Sequence, residues 1–302
     1  MSVKTEFSIK DLENLTGIKA HTIRIWEKRY DLLEPKRTKT NIRHYDMVNM
    51  TKLLNIAFLY NEGYKISKIA QLKSAEITQI IGESNEEQVQ HHALHHFKQA
   101  MFDFDQALFD KTYYALTRKA SFESIFFDIF IALLNDIGLL WQTGTIDPVH
   151  ERFISELIKQ KIIENILKAQ NSIDKNKKPK FALFLPHNEI HEMGLLFANY
   201  TLLNQGHQTL YLGTNIPLDN LEHLTKHYDE MIFFSYFTVK PDEQSVAEYV
   251  KTFQAQVKSE GQYKLWLMGS KIQGIKPGSL GPITRLIYNL EDLTRHLQTF
   301  SL

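Results

Sequence analysis

Five consecutive apolar residues, Phe181, Ala182, Leu183, Phe184 and Leu185, run directly into the polar stretch Pro186-His187-Asn188-Glu189-Ile190-His191-Glu192-Met193-Gly194. After it, Leu195, Leu196, Phe197, Tyr200, Leu202 and Leu203 recur at helical spacing. A strand that is apolar on both faces needs cover on both, so this strand-loop-helix order restricts the region to a layered α/β architecture. In an open α/β sheet such a loop lies at the carboxyl end of its strand, where ligands bind. His191 can present one ring nitrogen to a metal while a carboxylate holds the other, and Glu189 stands two residues before it. Gly194 lets backbone approach a bulky ligand with no Cβ in the way. The plainer alternative is a polar loop whose histidine caps the next helix.

The segments that follow keep alternating. Strands are expected at Thr209 to Leu212, Met231 to Ser235, Tyr263 to Met268 and Ile283 to Tyr288. Helices are expected at Leu218 to His227, Gln244 to Lys258 and Leu290 to Phe300. This alternation predicts a doubly wound, flavodoxin-like parallel sheet over residues 178–302, entered through the polar linker Asn171 to Lys178. No G-x-S-x-G, P-loop, H-E-x-x-H or G-x-G-x-x-G occurs, so the common nucleophile, phosphate, zinc-protease and dinucleotide motifs are absent.

A length of 302 residues with 43% hydrophobic content leaves room for two or three domains. Upstream of the linker the pattern is helical, with helices expected at Glu86 to Met101, Phe104 to Thr117, Phe122 to Trp141 and Pro148 to Gln170, the last capped by Asp147. Ile125, Ile129, Leu133, Ile137 and Leu140, then Val149, Phe153, Leu157, Ile162 and Ile166, form apolar stripes suited to a four-helix bundle over 86–172. The apolar segment Ile125 to Trp141 is interrupted by Asp128, Asn135 and Asp136, which predicts a buried helix rather than a membrane span. His91, His92, His95 and His96 pair at i,i+4 spacing, which suits an inter-helix or solvated face better than a metal site. There is no cysteine, so disulfides and thiol chemistry are excluded, and the N-terminus lacks a signal-peptide core. These features predict a soluble, cytoplasmic protein.

Residues 6–72 suggest a helix-turn-helix: Ser8 caps a short helix, Thr16-Gly17 makes the turn, and a second helix runs from Lys19 to Tyr30 with Ile18, Ile23 and Trp26 inward. Between Lys19 and Arg43 there are eight lysines and arginines against three acids, although the whole chain balances 35 against 35. That local excess is a phosphate footprint. The run Pro35 to Tyr45 predicts a two-stranded wing whose cations enter or flank a minor groove. F-S-I-x-x-L, T-G-I, T-I-R-x-W-E-x-R-Y and L-L-x-P-x-R, followed by R-x-Y, resemble the winged helix-turn-helix of the MerR family of transcription regulators. The resemblance includes third and fourth helices at Asp46 to Glu62 and Lys65 to Leu72, with Asn41 where the wing usually has glycine. It implies a DNA-binding domain over 1–75 that uses Thr22, Arg24, Lys28, Arg29, Arg37, Lys39, Arg43 and Tyr45. Ser74 to Ser84 is too short for the dimerising coiled coil of ordinary members, and residues 83–88 make a linker.

Glu189, His191 and Gly194 resemble the D/E-x-H-x-x-G motif of cobalamin-binding domains, in which the histidine replaces the cofactor's own base below cobalt. Ser235 and Gly269 stand where those domains approach the nucleotide tail, with Ser270 in place of a second glycine. Trp141 and Glu151 match two of three residues that guard the upper corrin face in cobalamin-sensing relatives; Arg152 replaces the third, a histidine. Gln142 follows Trp141 where photoreceptor members can carry a cobalt-binding histidine, and His150 is the nearest substitute. Over essentially the whole chain the order resembles MerR-family repressors with a C-terminal cobalamin-binding domain, the light-responsive CarH and LitR type. That implies a non-enzymatic, DNA-binding repressor, cobalamin (adenosylcobalamin or methylcobalamin) on His191, a double-stranded DNA operator, and assembly into a tetramer or dimer through the C-terminal half. A regulator of the same fold that binds no cofactor, and uses that half for oligomerisation or a protein antagonist, is the alternative.

Overall fold

The computed structural model describes residues 4–82, 89–173, 180–242, 244–257 and 261–298. The expected linker at 83–88 and the later part of the second, 174–178, lie outside them. The chain forms two compact units, Met1–Ile158 and Lys159–Leu302.

In the first unit, β1 (Glu6–Phe7) leads into α1 (Ile9–Thr16) and α2 (Ala20–Tyr30). Ser8 and Asp11 form a reciprocal capping box: the Ser8 hydroxyl accepts from the Asp11 N–H, and the Asp11 carboxylate accepts from the Ser8 N–H at 2.7 Å. Gly17 takes a left-handed φ of 73°, which ends α1 in the way its sequence predicts. The Glu13 carboxylate then accepts from the Ala20 N–H at 3.2 Å, tying the start of α2 to the flank of α1. The wing is the hairpin β2 (Lys36–Arg37) and β3 (Arg43–Asp46), and Asn41 adopts the left-handed φ of 64° that its place required. β1 adds a third strand on the other edge of β3, pairing Phe7 with Tyr45, which the sequence reading did not include.

Asp46 caps α3 (Met47–Asn61), and Asn49 accepts from the Glu34 N–H at 2.8 Å, so one helix start also pins the base of the wing. The expected fourth helix shortens to the single turn α4 (Ile66–Ile69), because Gln71 and Leu72 close three-residue turns instead. α5 (Ser74–Gly82) is short, as its sequence predicts.

The bundle begins with α6 (Val89–Asp103) and α7 (Gln106–Leu116). A short α8 (Phe122–Ser124) runs through a π-helical turn (Ile125–Phe130) into α9 (Ile131–Gln142), and α10 (Pro148–Gln170) closes the set. Phe122–Gln142 is long and apolar enough to cross a membrane by length and composition. Its stripe Ile125, Ile129, Leu133, Ile137 and Leu140 is buried in the unit, and Asp136 pairs with Lys98 at 2.6 Å, so it serves here as a bundle core helix. Val149 departs from the predicted stripe and is 41% exposed. The buried face of α10 runs through Ile154, Leu157, Ile158, Ile162 and Ile166, and a residue five before Ile154 falls about 140° round the helix. Asp147, expected as the cap, directs a carboxylate oxygen at the Lys4 backbone N–H.

Three of the four histidines of α6, His91, His92 and His95, face α3. The Phe58 ring lies 4.9, 4.6 and 4.6 Å from the rings of His91, His92 and His95. His91 Nδ1 meets Glu62 at 2.6 Å, and His95 Nε2 meets the Asn55 amide oxygen at 2.9 Å. They are an inter-helix clasp, and no group of three or more potential metal ligands occurs among the described residues. A second junction joins Asn14 to Thr145 at 3.1 Å and the Lys4 ammonium to the Gly144 carbonyl at 2.7 Å, in the loop just after Trp141.

The second unit is a five-stranded parallel sheet: β4 (Phe181–Pro186), β5 (Thr209–Ile216), β6 (Met231–Tyr236), β7 (Tyr263–Met268) and β8 (Thr284–Ile287), in the order β5-β4-β6-β7-β8. α11 (Met193–Asn204) and α14 (Leu290–Gln298) cover one face, while α12 (Leu218–Thr225) and α13 (Val246–Val257) cover the other. The order reverses between β4 and β6, so the crevice between the loops that leave these strands is the topological switch point.

Burial, with smaller contributions from neighbouring histidines and Lys98, lowers the His95 pKa to about 3. The unfolded chain therefore takes up a proton below about pH 6.5 that the folded unit refuses down to about pH 3. Stability contributed at this group is complete above the unfolded value and falls by up to about 1.4 kcal/mol per pH unit on acidification. Denaturant midpoints measured at pH 7 and pH 5 should show the loss, and His95→Gln, which keeps a donor for Asn55 and cannot titrate, should flatten it.

Candidate functional site

Glu189 is 1% exposed at the end of the β4 loop. One carboxylate oxygen accepts from the N–H groups of Ile190 at 2.9 Å and His191 at 3.0 Å, and from His191 Nδ1 at 2.5 Å. The other accepts from the N–H groups of Val239 at 2.7 Å and Lys240 at 2.8 Å, in the loop that leaves β6. Burial on its own would raise this carboxyl, but the Lys240, His191 and Val239 N–H groups and the imidazole outweigh it and bring its pKa to about 2. An ionised carboxylate only accepts, so Nδ1 carries a ring hydrogen, and in the neutral ring this tautomer puts the lone pair on Nε2. The His191 side chain is 54% exposed, leaving that lone pair available at the switch point.

Two glycines of the loop region, Gly194 and Gly269, stand against close neighbours. Gly269 has φ 114°, and a Cβ there would lie 2.3 Å from the Phe237 carbonyl oxygen. A Cβ on Gly194, in the first turn of α11, would lie 2.5 Å from the Tyr236 ring. The buried Ser235 hydroxyl donates to the Phe184 carbonyl at 2.8 Å. The Ser270 hydroxyl turns to the Thr238 carbonyl at 2.8 Å. Glu192 receives the Lys159 ammonium at 2.6 Å and the Tyr211 hydroxyl at 3.2 Å, which steadies the start of α11. A carboxylate-held imidazole with its other nitrogen side exposed fits a metal ligand; Gly269 is held to glycine by its left-handed φ and the Phe237 carbonyl, and Gly194 by the Tyr236 ring where it now stands. The sequence reading missed the Val239 and Lys240 donors, Lys159, Tyr211 and Tyr236; an aromatic directly after Ser235 was the one signal available.

On the bundle, Trp141 is 55% exposed beside the loop to α10, and the Glu151 carboxylate accepts from the Ser155 hydroxyl at 2.9 Å. His150 is wholly buried, with its ring 4.9 Å from Phe104 and 5.6 Å from Phe102, and burial lowers its pKa. It is enclosed by aromatic rings rather than offered to a ligand.

In the helix-turn-helix, Arg24, Lys28 and Arg29 are exposed on α2, with Thr22 half-buried among them. Arg37 and Lys39 are exposed on the wing, where the Arg37 guanidinium donates to the Asn41 side chain at 2.7 Å. Arg43 and Tyr45 share one face of β3 and both reach Glu27 on α2, at 2.9 and 3.0 Å. Tyr45 is fully buried, and burial together with Glu27 raises its pKa. The structure therefore places Tyr45 in the core opposite Phe7, where it ties the wing to α2, and not on the basic surface.

Residues 7–76 match the MerR HTH family regulatory protein family, and residues 93–164 match the B12 binding domain. The sequence is 27% identical over 227 residues to the HTH-type transcriptional repressor CarH of Myxococcus xanthus, covering 71% of this chain and 73% of that one. The fold is similar to that of the Methanosarcina barkeri monomethylamine corrinoid protein, with a TM-score of 0.56 at 14% identity over 72% of this chain and 100% of the other. A novel cobalamin-binding protein from Desulfitobacterium hafniense aligns at 17% identity over 69% of this chain and 98% of its own, with a TM-score of 0.35. The chain thus joins a helix-turn-helix domain of the MerR regulatory family to a B12-binding domain.

Proposed function

We propose that this protein is a cobalamin-controlled, DNA-binding transcriptional repressor in which His191 Nε2 is the lower ligand to cobalt. The observation that carries the reading is the Glu189–His191 pair at the switch point, in a chain whose first domain is of the MerR regulatory type. Glu189 holds the proton at Nδ1 and aims the ring; Gly194, Ser235 and Gly269 line the path of the nucleotide tail; the resemblance to cobalamin-sensing regulators assigns Trp141 and Glu151 to the upper side of the corrin. When bound, adenosylcobalamin supplies a cobalt–carbon bond that light breaks, and methylcobalamin is the other form to be tested. The domain bounds that go with this reading are 1–75, 86–172 and 178–302. The chain acts in the cytoplasm, catalyses no reaction, and associates with its own copies through the part beyond residue 86.

On the DNA side, Arg24, Lys28, Arg29, Arg37 and Lys39 contact phosphates, Thr22 lies among them, and Arg43 works through its pairing with Glu27 as well as by charge. Phosphate contacts release counterions, so log affinity should fall linearly with log salt. Arg24→Glu should lower operator affinity at least about tenfold and reduce the salt slope, as read by fluorescence anisotropy across a salt series. An unchanged affinity would remove α2 from the interface.

For the cofactor, His191→Ala should lose most cobalamin affinity and shift the absorption spectrum of any remaining complex, because nitrogen coordination below cobalt is gone. Trp141→Ala should leave that coordination and alter the preference for the upper ligand. If the purified chain retains neither adenosylcobalamin nor methylcobalamin, a cofactor-free regulator is the reading that stands. Sedimentation of residues 1–75 should show a monomer, since α5 is too short to form a coiled coil, whereas the full chain should associate.

A further inference from the structure

The residue immediately beyond Ser235 deepens the corrinoid reading and rests on it. Along β6, Ile232, Phe234 and Tyr236 alternate onto the face covered by α11, where Leu195, Ala198 and Leu202 meet them. Tyr236 is the last of this stripe, partly buried against that core, with its ring over Gly194 in the first turn of α11. The three ring atoms nearest a Cβ on Gly194, namely Cζ, Cε1 and Cε2, would stand 2.5, 2.7 and 2.7 Å away. The far edge of the ring therefore occupies the space that the absence of a side chain at Gly194 creates. That is the space the proposed path needs for a nucleotide tail. Burial raises the Tyr236 pKa, and its ring packs against the core on this face of the sheet.

We propose that Tyr236 is the gate and the specificity determinant of the nucleotide-tail path. With the ring in place, a corrinoid without a nucleotide tail can reach His191. One that carries the tail seats only after the ring turns away from Gly194. The cost falls on the tail-bearing corrinoid alone, and it disappears when the ring is removed.

The test uses the full chain and two probes, hydroxocobalamin with its nucleotide tail and cobinamide without one, each titrated by absorption and followed by stopped flow. Because the two probes also differ in their own lower ligand, the informative quantity is the effect of each substitution on each probe. Tyr236→Ala should raise affinity or association rate for hydroxocobalamin roughly tenfold, equal to about 1.4 kcal/mol of ring displacement. Cobinamide should change by less than about twofold. Tyr236→Phe, which keeps the ring, should match the unsubstituted chain. Should Tyr236→Ala unfold, Tyr236→Leu should show the same selective rise at smaller size. Equal effects on both probes, or none on either, overturn the gate while leaving corrinoid binding intact. Failure of both probes to bind the unsubstituted chain and every variant overturns the corrinoid reading together with the gate.

Discussion

A single buried carboxylate organises the second unit. Glu189 takes five hydrogen bonds from two loops, and these loops leave the strands between which the sheet reverses its order. An ionised carboxylate removed from water is costly unless it is so surrounded, and here backbone N–H groups supply most of the compensation. The same charge orients His191, steadies the loop after β6 and depends on both loops being in place. Ligand geometry and local folding at this point are therefore one property: a change that frees either loop also frees the imidazole.

The first unit has a comparable economy of contacts. Glu27 gathers Arg43 and Tyr45, so the angle between α2 and the wing is set by one acidic side chain among many basic ones. The clasp around Phe58 and the Asn14–Thr145 junction bind the helix-turn-helix to the bundle at two separate places. Thr145 stands four residues after Trp141, so a shift at the end of α9 has a short, bonded route to α1.

Much of this was legible in the sequence where local chemistry decides it. An all-apolar run such as Phe181 to Leu185 admits little besides a doubly covered strand, and Ser8, Gly17 and Asn41 each carry the conformation of their position in their own side chain or lack of one. The Glu189–His191 pair is two residues apart, and its bond formed as the spacing allowed. What could not be read is long-range or anonymous. The Val239 and Lys240 donors are backbone groups that any residue but proline would supply, and they come from fifty residues away. β1 is two residues long, too short for any periodic signal, and without it the burial of Tyr45 opposite Phe7 is invisible. His150 is hidden by the turn at Phe104, whose φ of 52° no pattern announces.

The basic surface of α2 and the wing has a counterpart in the remainder of the chain. Removing its eight basic and three acidic residues from the 35 and 35 of the whole leaves 27 basic against 32 acidic residues elsewhere. The molecule is neutral only in sum: the stretch from Lys19 to Arg43 carries an excess of five positive charges, and the rest of the sequence an equal excess of negative ones. Near a polyanion, a charge pattern of this kind draws in the basic stretch while the acidic remainder is repelled. The excess acids elsewhere in the sequence thus disfavour encounters that do not begin at the basic stretch, before any base or phosphate is touched.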